Sequence, residues 1–350
     1  MSIYDASNYE YVVARVRHRR ASLFAPEDYR NLLRMGPGEI ARFMEETEYE
    51  EEINALGARH SGVDLIEYAL NANLARHFED LLRWSDGRLY EQVARYLRKF
   101  DAWNVKTVLR GQYSDTGREE IVEDLIEAGE LDHALLEELA GAESIEAVVE
   151  RLAGTVFGDA LGAAYDDYEE SGLLVPLENA VDRAYYEGLL EGVGASGGRA
   201  TELYTEFLEA EIDFRNARNA LRVARSGADI DPAEYFIEGG GLFDAGQLRQ
   251  LAANPDALAT HLRESRYGDE VAPAIDEFEE TDSLIGLEHA LEGVLLEYAG
   301  RLSNVYPLSV CPVLAFVLAK EREVENIRAI ARGREAGLTE EEIEEELVML

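Results

Sequence analysis

The feature that most constrains this chain is a polar pattern that occurs three times. In each copy an acidic residue is followed three positions later by Asn, five positions later by Lys or Arg, and nine positions later by Arg. Its three asparagines are separated by 112 and 110 residues, and a period of this size indicates a repeated structural unit. The three sets are Asp101, Asn104, Lys106 and Arg110; Asp213, Asn216, Arg218 and Arg222; and Glu323, Asn326, Arg328 and Arg332.

Three further landmarks recur at nearly the same spacing and in the same order. One alone could be chance in a chain rich in Ala, Glu and Leu, but four together predict a triplication. The predicted units are residues 1–128, 129–239 and 240–350, each of a common domain size. The landmarks are E-x-A-[L/V] at Glu67, Glu178 and Glu288; an apolar start at Leu23, Leu131 and Leu242; and a short segment around Ile121, Tyr235 and Ile343.

Each unit is predicted to be helical. Alternating β-branched residues are scarce, and apolar residues recur at helical spacing. We expect helices near residues 9–24, 39–54, 63–84, 89–112, 177–190 and 201–225, with Thr339 and Glu342 capping a last short helix. The acids of the second segment are predicted to form a solvated face: Glu45, Glu46, Glu48, Glu50, Glu51 and Glu52. The fold class is therefore all-α.

The net charge limits the environment and the partners of the chain. It is −39, from 72 acidic and 33 basic residues. Such self-repulsion is tolerable in molar salt, where the screening length falls to about 3 Å, so we expect a halophilic cytoplasm. Nucleic acid is an unfavourable partner, since no clustered basic surface is evident. The acids are spread along the chain and 47% of the residues are hydrophobic, which argues against a disordered acidic tail.

Other sequence features indicate a protein without a leader, a membrane span or a disulfide. Residues 1–21 do not read as a signal peptide. The longest apolar run, residues 305–319, is interrupted by two prolines and is too short to cross a bilayer. Cys311 is the single cysteine and lies in this run, so we expect a buried, inert thiol.

The repeated polar residues have two interpretations each. At 100° per residue Asp101 and Asn104 lie on or beside the apolar stripe of their helix, so they must be hydrogen-bonded; the simplest role is to brace helices within a unit. Lys106 and Arg110 share one flank at a spacing that repels, so an acidic neighbour must compensate them. That neighbour is either in the same chain or on a partner, and the sequence leaves both open.

No motif of catalytic or cofactor chemistry is convincing. Residues 192–197 read G-x-G-x-x-G but follow a helix, without the strand that a dinucleotide site needs. Glu130 and His133 form a single E-x-x-H, whereas di-iron bundles need two. The six histidines are scattered, and neither a P-loop nor a nucleophile elbow occurs. The sequence predicts a non-enzymatic protein with no cofactor and no metal.

Three segments make the chain resemble a known family. They are YPLSVCPVLAFVLAKEREVENIR at residues 306–328, ARGREAGL at 331–338 and YVVARVR at 11–17. Together they are similar to the C subunits of archaeal A-type ATP synthases, the relatives of the d subunits of V-type ATPases. The resemblance covers essentially the whole chain and departs at Cys311, where a small residue is expected.

This resemblance implies a funnel of three similar helical domains around a pseudo-threefold axis. It implies a non-catalytic central-stalk (rotor) component, peripheral to the cytoplasmic face of the membrane. Its partners would be the proteolipid ring of the membrane rotor and the central-axle subunits, which it couples in proton- or sodium-driven ATP synthesis. We then expect the six repeat cations to face the socket and contact an acidic axle: Lys106, Arg110, Arg218, Arg222, Arg328 and Arg332.

Two rival interpretations stay open. A free-standing helical-repeat scaffold for protein–protein interaction would keep the triplication but would not pellet with membranes. The basic cluster of Arg15, Arg17, His18, Arg19 and Arg20 would suit anionic lipid headgroups, although a solvated basic face is the simpler interpretation.

Overall fold

The computed structural model describes residues 7–190, 198–226, 231–281 and 283–348. Within these ranges the regular structure consists of eighteen α-helices and one short 3-10 helix, with no strand. The all-α prediction is confirmed. The glycine-rich run at residues 192–197 lies outside the described residues. The proposed unit boundaries remain predictions.

The first unit contains two long consecutive helices preceded by four shorter ones. Asp86 precedes the second long helix, and the chain then ends the unit with one more short helix. These helices are α1 (Tyr9–Arg20), α2 (Pro26–Leu32), α3 (Pro37–Met44), α4 (Glu50–Leu56), α5 (Gly62–Trp84), α6 (Gly87–Tyr113) and α7 (Arg118–Glu123).

The second and third units follow the same order of short helices, two long helices and a short terminal element. The second contains α8 (His133–Ala140), α9 (Ile145–Leu152), α10 (Gly158–Ser171), α11 (Val175–Leu190), α12 (Gly198–Ser226) and the 3-10 helix Pro232–Tyr235. The third contains α13 (Ala245–Ala252), α14 (Pro255–Arg263), α15 (Gly268–Thr281), α16 (Leu284–Val305), α17 (Cys311–Ala336) and α18 (Glu340–Glu344).

Most predicted helices are present, but two predictions near the N-terminus are wrong. The helix expected at residues 9–24 ends at Arg20, because the chain turns so that the Phe24 amide can donate to Glu323. The helix expected at residues 39–54 is two helices. The Thr47 hydroxyl donates to the Met44 carbonyl and accepts from the Tyr49 amide, and this turn separates α3 from α4.

The predicted solvent exposure of Glu52 is also wrong. It was expected on a solvated face but is 6% exposed. Its carboxylate accepts hydrogen bonds from Arg76 Nε at 2.5 Å and from Asn73 Nδ2 at 3.0 Å. The run of six glutamates gives no sign of this, because the two partners lie on a different helix, α5.

The apolar stripes of the three long pattern-bearing helices α6, α12 and α17 form the core, as predicted. Their members are less than 2% exposed: Val105, Val108, Leu109, Ala217, Ala220, Leu221, Ile327, Ile330 and Ala331. Burial of these side chains on one face fixes which face of each helix carries the polar pattern.

A small residue lets the short terminal element pack on the pattern-bearing helix in two of the units. A Cβ added to Gly111 would lie 2.6 Å from Ile121, and one added to Gly333 would lie 2.6 Å from Ile343. In the middle unit the equivalent position is Val223, and the short element is the 3-10 helix rather than an α-helix. The larger side chain thus coincides with the one unit whose terminal element differs.

Each pattern-bearing helix packs against the first long helix of the next unit. Helix α6 packs on α11, and α12 packs on α16. Helix α17 packs on α5 and also on α1, so the third unit contacts the first. We call these three junctions the first, second and third seams. The third seam joins elements that are remote in the chain.

Candidate functional site: three seams built from the repeated polar residues

The three asparagines brace each unit internally. Asn104 accepts from the Ile126 amide at 2.8 Å and donates to the Ile126 carbonyl at 2.8 Å. Asn216 makes the same pair with Ile237, and Asn326 makes it with Val348. Each asparagine is at most 2% exposed. An amide side chain supplies one donor and one acceptor, so it satisfies both backbone groups of an extended residue.

The first two acids of the pattern hold the start of the following unit. Asp101 accepts from the backbone amides of Glu130 and Leu131 at 2.8 and 3.0 Å. Asp213 accepts from Gly241 and Leu242 at 2.8 and 2.9 Å. Burial raises the pKa of Asp101 to about 6 and raises that of Asp213, although the amide donors oppose the shift.

The third acid makes the equivalent connection back to the first unit. Glu323 accepts from the Phe24 amide at 2.5 Å and from the Tyr49 hydroxyl at 2.7 Å. It also pairs with Lys320 at 2.7 Å, and both side chains are nearly fully buried. The landmark leucines Leu131 and Leu242 donate their amides to Asp101 and Asp213. In the first unit the amide that binds Glu323 belongs to Phe24, the residue after the landmark Leu23. The apolar landmark therefore marks the backbone that the preceding acid binds.

The first cation of each pattern is buried in a seam. Lys106 pairs with Asp182 at 2.6 Å, Arg218 pairs with Glu292, and Arg328 donates to Asn71 at 2.7 Å. The side chains of these three cations are only 13–16% exposed. Burial lowers the pKa of each of them, while the neighbouring acids oppose the shift.

The second cation of each pattern lies at the rim of a seam. Arg110 pairs with Glu178 at 2.5 Å, and Arg332 donates to Glu67 at 2.6 Å. Arg222 pairs with Glu288. The three arginine side chains are 55%, 50% and 62% exposed, so each retains about half of its surface for another contact.

These pairs explain the E-x-A-[L/V] landmark. Its glutamate is the partner of the outer arginine, and the residue four positions later, one helical turn on, is the partner of the inner cation. The acidic neighbour that the sequence required lies within the chain, one unit further on. Contact of the six cations with an axle stays a prediction, and only Arg110, Arg222 and Arg332 have substantial exposed surface for it.

A cavity of about 290 Å³ lies where α6, α12 and α17 approach one another. Lys99 on α6 bridges to Glu321 on α17 at 2.8 Å. Burial raises the pKa of Glu321 to about 7, with Lys99 opposing and Glu325 and Glu211 adding to the rise. Glu211 is buried, and its Oε2 has no hydrogen-bond partner among the described residues. The three helices thus meet through charged groups as well as through apolar ones.

Sequence reasoning missed two sets of partners. The first set binds the inner cations and lies four positions after the landmark glutamates, a spacing that can be read directly from the sequence: Asn71, Asp182 and Glu292. The second set consists of aromatic residues whose backbone amide donates to a Ser or Thr hydroxyl two positions earlier: Tyr49, Phe157 and Tyr267. Tyr49 and Tyr267 donate to Glu323 and Asp213, whereas Phe157 has no hydroxyl to donate.

The remaining sequence candidates have ordinary structural partners. Glu130 pairs with Arg98, and His133 contacts Glu127 at 2.8 Å, so the E-x-x-H residues bind separate groups. Burial raises the pKa of the Cys311 thiol, and the side chain is buried as expected. Among the described residues no cluster of His, Cys, Asp and Glu could hold a metal ion.

The N-terminal basic cluster is partly internal. Arg19 donates to Asp80 at 2.6 Å and lies against His77, whose pKa burial lowers to about 2. The Arg15 guanidinium stacks over Tyr11 and Trp84. No helix in the described part of the chain is both long and apolar enough to cross a membrane.

Comparison with known proteins gives a consistent result over the full length. The sequence model of the ATP synthase (C/AC39) subunit family matches residues 12–346. The chain is 64% identical to the A-type ATP synthase C subunit of Haloferax volcanii over 350 residues, covering all of both chains. It is 60% identical to the C subunit of Halobacterium salinarum strain R1 over 352 residues, again covering all of both.

A more distant relative extends the match beyond the haloarchaea. The A-type ATP synthase C subunit of Methanococcoides burtonii is 36% identical over 347 residues, which cover 99% of this chain and 95% of the relative. The high identity to haloarchaeal proteins agrees with the halophilic character predicted from the net charge of −39. The chain belongs to the ATP synthase (C/AC39) subunit family.

Proposed function

We propose that this chain is a non-catalytic central-stalk subunit of an A-type ATP synthase. In this role it couples the membrane rotor ring to the central axle and transmits rotation between them during proton- or sodium-driven ATP synthesis. It would lie on the cytoplasmic face of the membrane as a peripheral part of the complex. The proposal is supported by the relatives, each of which bears the name of the C subunit of an A-type ATP synthase.

The observation that carries the proposal is the continuation of the seams from the third unit back to the first. Glu323 reaches Phe24 and Tyr49, and Arg332 reaches Glu67, so the third copy of the pattern binds the first unit from the same pattern positions that the other copies use to bind the units after them. Three units joined in this cyclic order suit a funnel around a pseudo-threefold axis. Ion pairs across every seam would resist shear between units, which a coupler under torque requires.

The outer arginines are the proposed contacts to the axle. Arg110, Arg222 and Arg332 lie near the C-terminal ends of equivalent helices and keep about half of their surface exposed. In a chain of net charge −39, three exposed guanidinium groups at equivalent positions are suited to an acidic partner. The inner cations Lys106, Arg218 and Arg328 would hold the seams that position them.

The test compares two triple variants that break the same three rim ion pairs. One replaces Arg110, Arg222 and Arg332 with Gln, and the other replaces Glu67, Glu178 and Glu288 with Gln. In a pull-down of the central-axle subunits at matched salt, we expect the arginine variant to bind about tenfold more weakly or worse. The glutamate variant should bind normally, because its arginines remain and are freed for the partner.

Equal loss in both variants would mean that the arginines act only through the seams, and unchanged binding in both would contradict the axle contact. Melting temperatures of the two variants check that both remain folded. The rival function, a free-standing scaffold, predicts that the native protein stays in the supernatant when membranes are pelleted. The proposed function predicts that it pellets and co-purifies with the detergent-solubilised ring.

A further inference from the structure

A positively charged pocket lies at the first seam of this acidic protein. It has a volume of about 330 Å³ and lies between α6, α11, α12 and the 3-10 helix. Five basic and three acidic residues line it, so the lining carries more positive than negative charge in a chain of net charge −39. The charged lining residues are Lys106, Arg110, Arg183, Arg215 and Arg222, with Glu178, Asp182 and Glu234.

Two of these arginines have no ion-pair partner among the residues that the structure describes. Lys106, Arg110 and Arg222 bridge to acids across the seams, as described above. For Arg183 and Arg215, no carboxylate oxygen of the described residues lies within 4.0 Å of the guanidinium nitrogens.

Arg215 is the more informative of the two. It lies on α12, is partly buried, and lines both this pocket and the cavity between α6, α12 and α17. Tyr186 and then Asp182 raise its pKa against the effect of burial, so it stays fully charged. Arg183 lies on α11 with its side chain exposed. Together they place two guanidinium groups without a direct ion pair among the described residues around one opening, and guanidinium groups bind carboxylates through paired hydrogen bonds.

The other two units lack both arginines. Counted from the landmark glutamate, Arg183 corresponds to Ala72 in the first unit and to Gly293 in the third. Counted from the pattern acid, Arg215 corresponds to Trp103 and Glu325. The bridged cations repeat at all three seams, but the free pair occurs at one. This pocket is therefore a departure from the threefold pattern.

We propose that Arg183 and Arg215 form a key that binds carboxylate groups of the axle and fixes its rotational position in the socket. The inference rests on the proposed function. The three outer arginines present the same charge at each seam, so by themselves they do not distinguish three orientations of an axle. A pair of free guanidinium groups at one seam does, because only one orientation brings the acidic groups of the axle to it.

Cross-linking can measure which orientation is occupied. Single cysteines are placed at Tyr113, Arg225 or Glu335, each three residues after an outer arginine, in protein whose Cys311 is replaced by Ala. Each variant is assembled with axle subunits that carry one cysteine at the foot, at the same molar salt. With Arg183 and Arg215 present, we expect one of the three positions to cross-link about tenfold more than the others.

Two further variants test the key itself. In the keyless variant, Arg183→Ala and Arg215→Trp, the three cross-link yields should become comparable while the axle still binds. In the moved-key variant these two changes are combined with Ala72→Arg and Trp103→Arg, which gives the first unit the residues of the second. The preferred cross-link should then move by one unit. Circular dichroism melts verify that each variant folds.

The outcomes separate the two proposals. If the unmodified socket does not bind the axle at all, the proposed function fails. If it binds but gives equal yields at the three positions, or if the keyless variant keeps one orientation, the key is overturned and the proposed function stands. An unchanged orientation, with inorganic phosphate raising the melting temperature of the unmodified protein but not of the keyless variant, would assign the pocket to a small anion and also overturn the key.

Discussion

The first two seams and the third connect equivalent elements by different chemistry. At the first two, the bound backbone lies 28 to 30 residues beyond the acid in the same continuous chain. At the third, Phe24 and Glu323 are 299 residues apart, and no nearby peptide connection holds them together. Side-chain contacts have to hold the third seam together, whereas the continuous chain helps to hold the first two seams together.

The difference is visible in the acid. Asp101 and Asp213 are short and reach their amides because the backbone comes very close: a Cβ on Gly129 would lie 2.0 Å from Asp101 Oδ1, and one on Gly240 would lie 2.2 Å from Asp213 Oδ1. Glu323 has one more methylene group and meets no glycine at this place. It binds one amide, accepts from Tyr49 as Asp213 accepts from Tyr267, and pairs with the buried Lys320, whereas the cation that pairs with Asp213, Arg266, is 42% exposed.

The burial of both charges makes the third seam the most sensitive to mutation. Glu323→Ala would leave the Lys320 ammonium, 1% exposed, without its counterion, and we expect a loss of about 3–5 kcal/mol of folding free energy. Chemical denaturation measures it. The double variant Lys320→Met, Glu323→Leu removes both charges and should recover most of the loss. A double variant as unstable as the single one would contradict this account of the buried pair.

The glycines make the first two seams sensitive to size instead. Gly129→Ala pushes a methyl group into the Asp101 carboxylate and should cost about 2–3 kcal/mol through displaced hydrogen bonds. Gly162→Ala is the matched control, since Gly162 lies in α10 with open space around its Cα, and alanine favours a helix. Thermal melts should show destabilisation for the first and slight stabilisation for the second. Equal effects would mean that the close approach is not needed.

A pH dependence distinguishes the contact between the first and third units. The pKa of Glu321 in the folded protein is about 7, above its ordinary 4.5, so the folded state holds this proton more tightly than the unfolded state. Its stabilising contribution is complete below pH 4.5 and is lost as the pH rises through about 7.

Relative to Glu321→Gln, the native protein should therefore lose about 2–3 kcal/mol of stability between pH 5 and 8. Parallel denaturant titrations of both proteins at fixed salt measure this difference. Glutamine can still accept from Lys99, so the variant keeps that hydrogen bond. Two parallel stability curves would place the Glu321 pKa at its ordinary value and contradict the burial argument.

The rim ion pairs of the first and third seams should make the smallest contribution to stability, and an equal one. Glu67→Gln at the third seam and Glu178→Gln at the first each remove one partner of a half-exposed arginine, and each should cost less than about 1 kcal/mol. Denaturation of the two single variants provides the comparison. A much larger effect at Glu67 would mean that the third seam depends on its rim pair rather than on Glu323.

Much of this organisation was predictable because the chain repeats it. The triplicated landmarks gave the helices and the buried Asn positions, since periodicity and burial are local properties. The partners were not predictable from single positions. Arg332 and Glu67 meet only because the third unit packs on the first, and Glu52 looks like any other member of an acidic run. The two free arginines were missed because they are defined by what neighbouring units lack.

The central claim is that the third unit closes onto the first in the free protein. Hydrogen exchange at the Phe24 amide tests it most directly, because Glu323 is the acceptor that the structure gives this amide and belongs to the other end of the chain. We predict that the Phe24 amide exchanges as slowly as those of Leu131 and Leu242, and that Glu323→Ala accelerates Phe24 selectively. Rapid exchange of Phe24 in the native protein, with Leu131 and Leu242 protected, would mean that the three units form an open row.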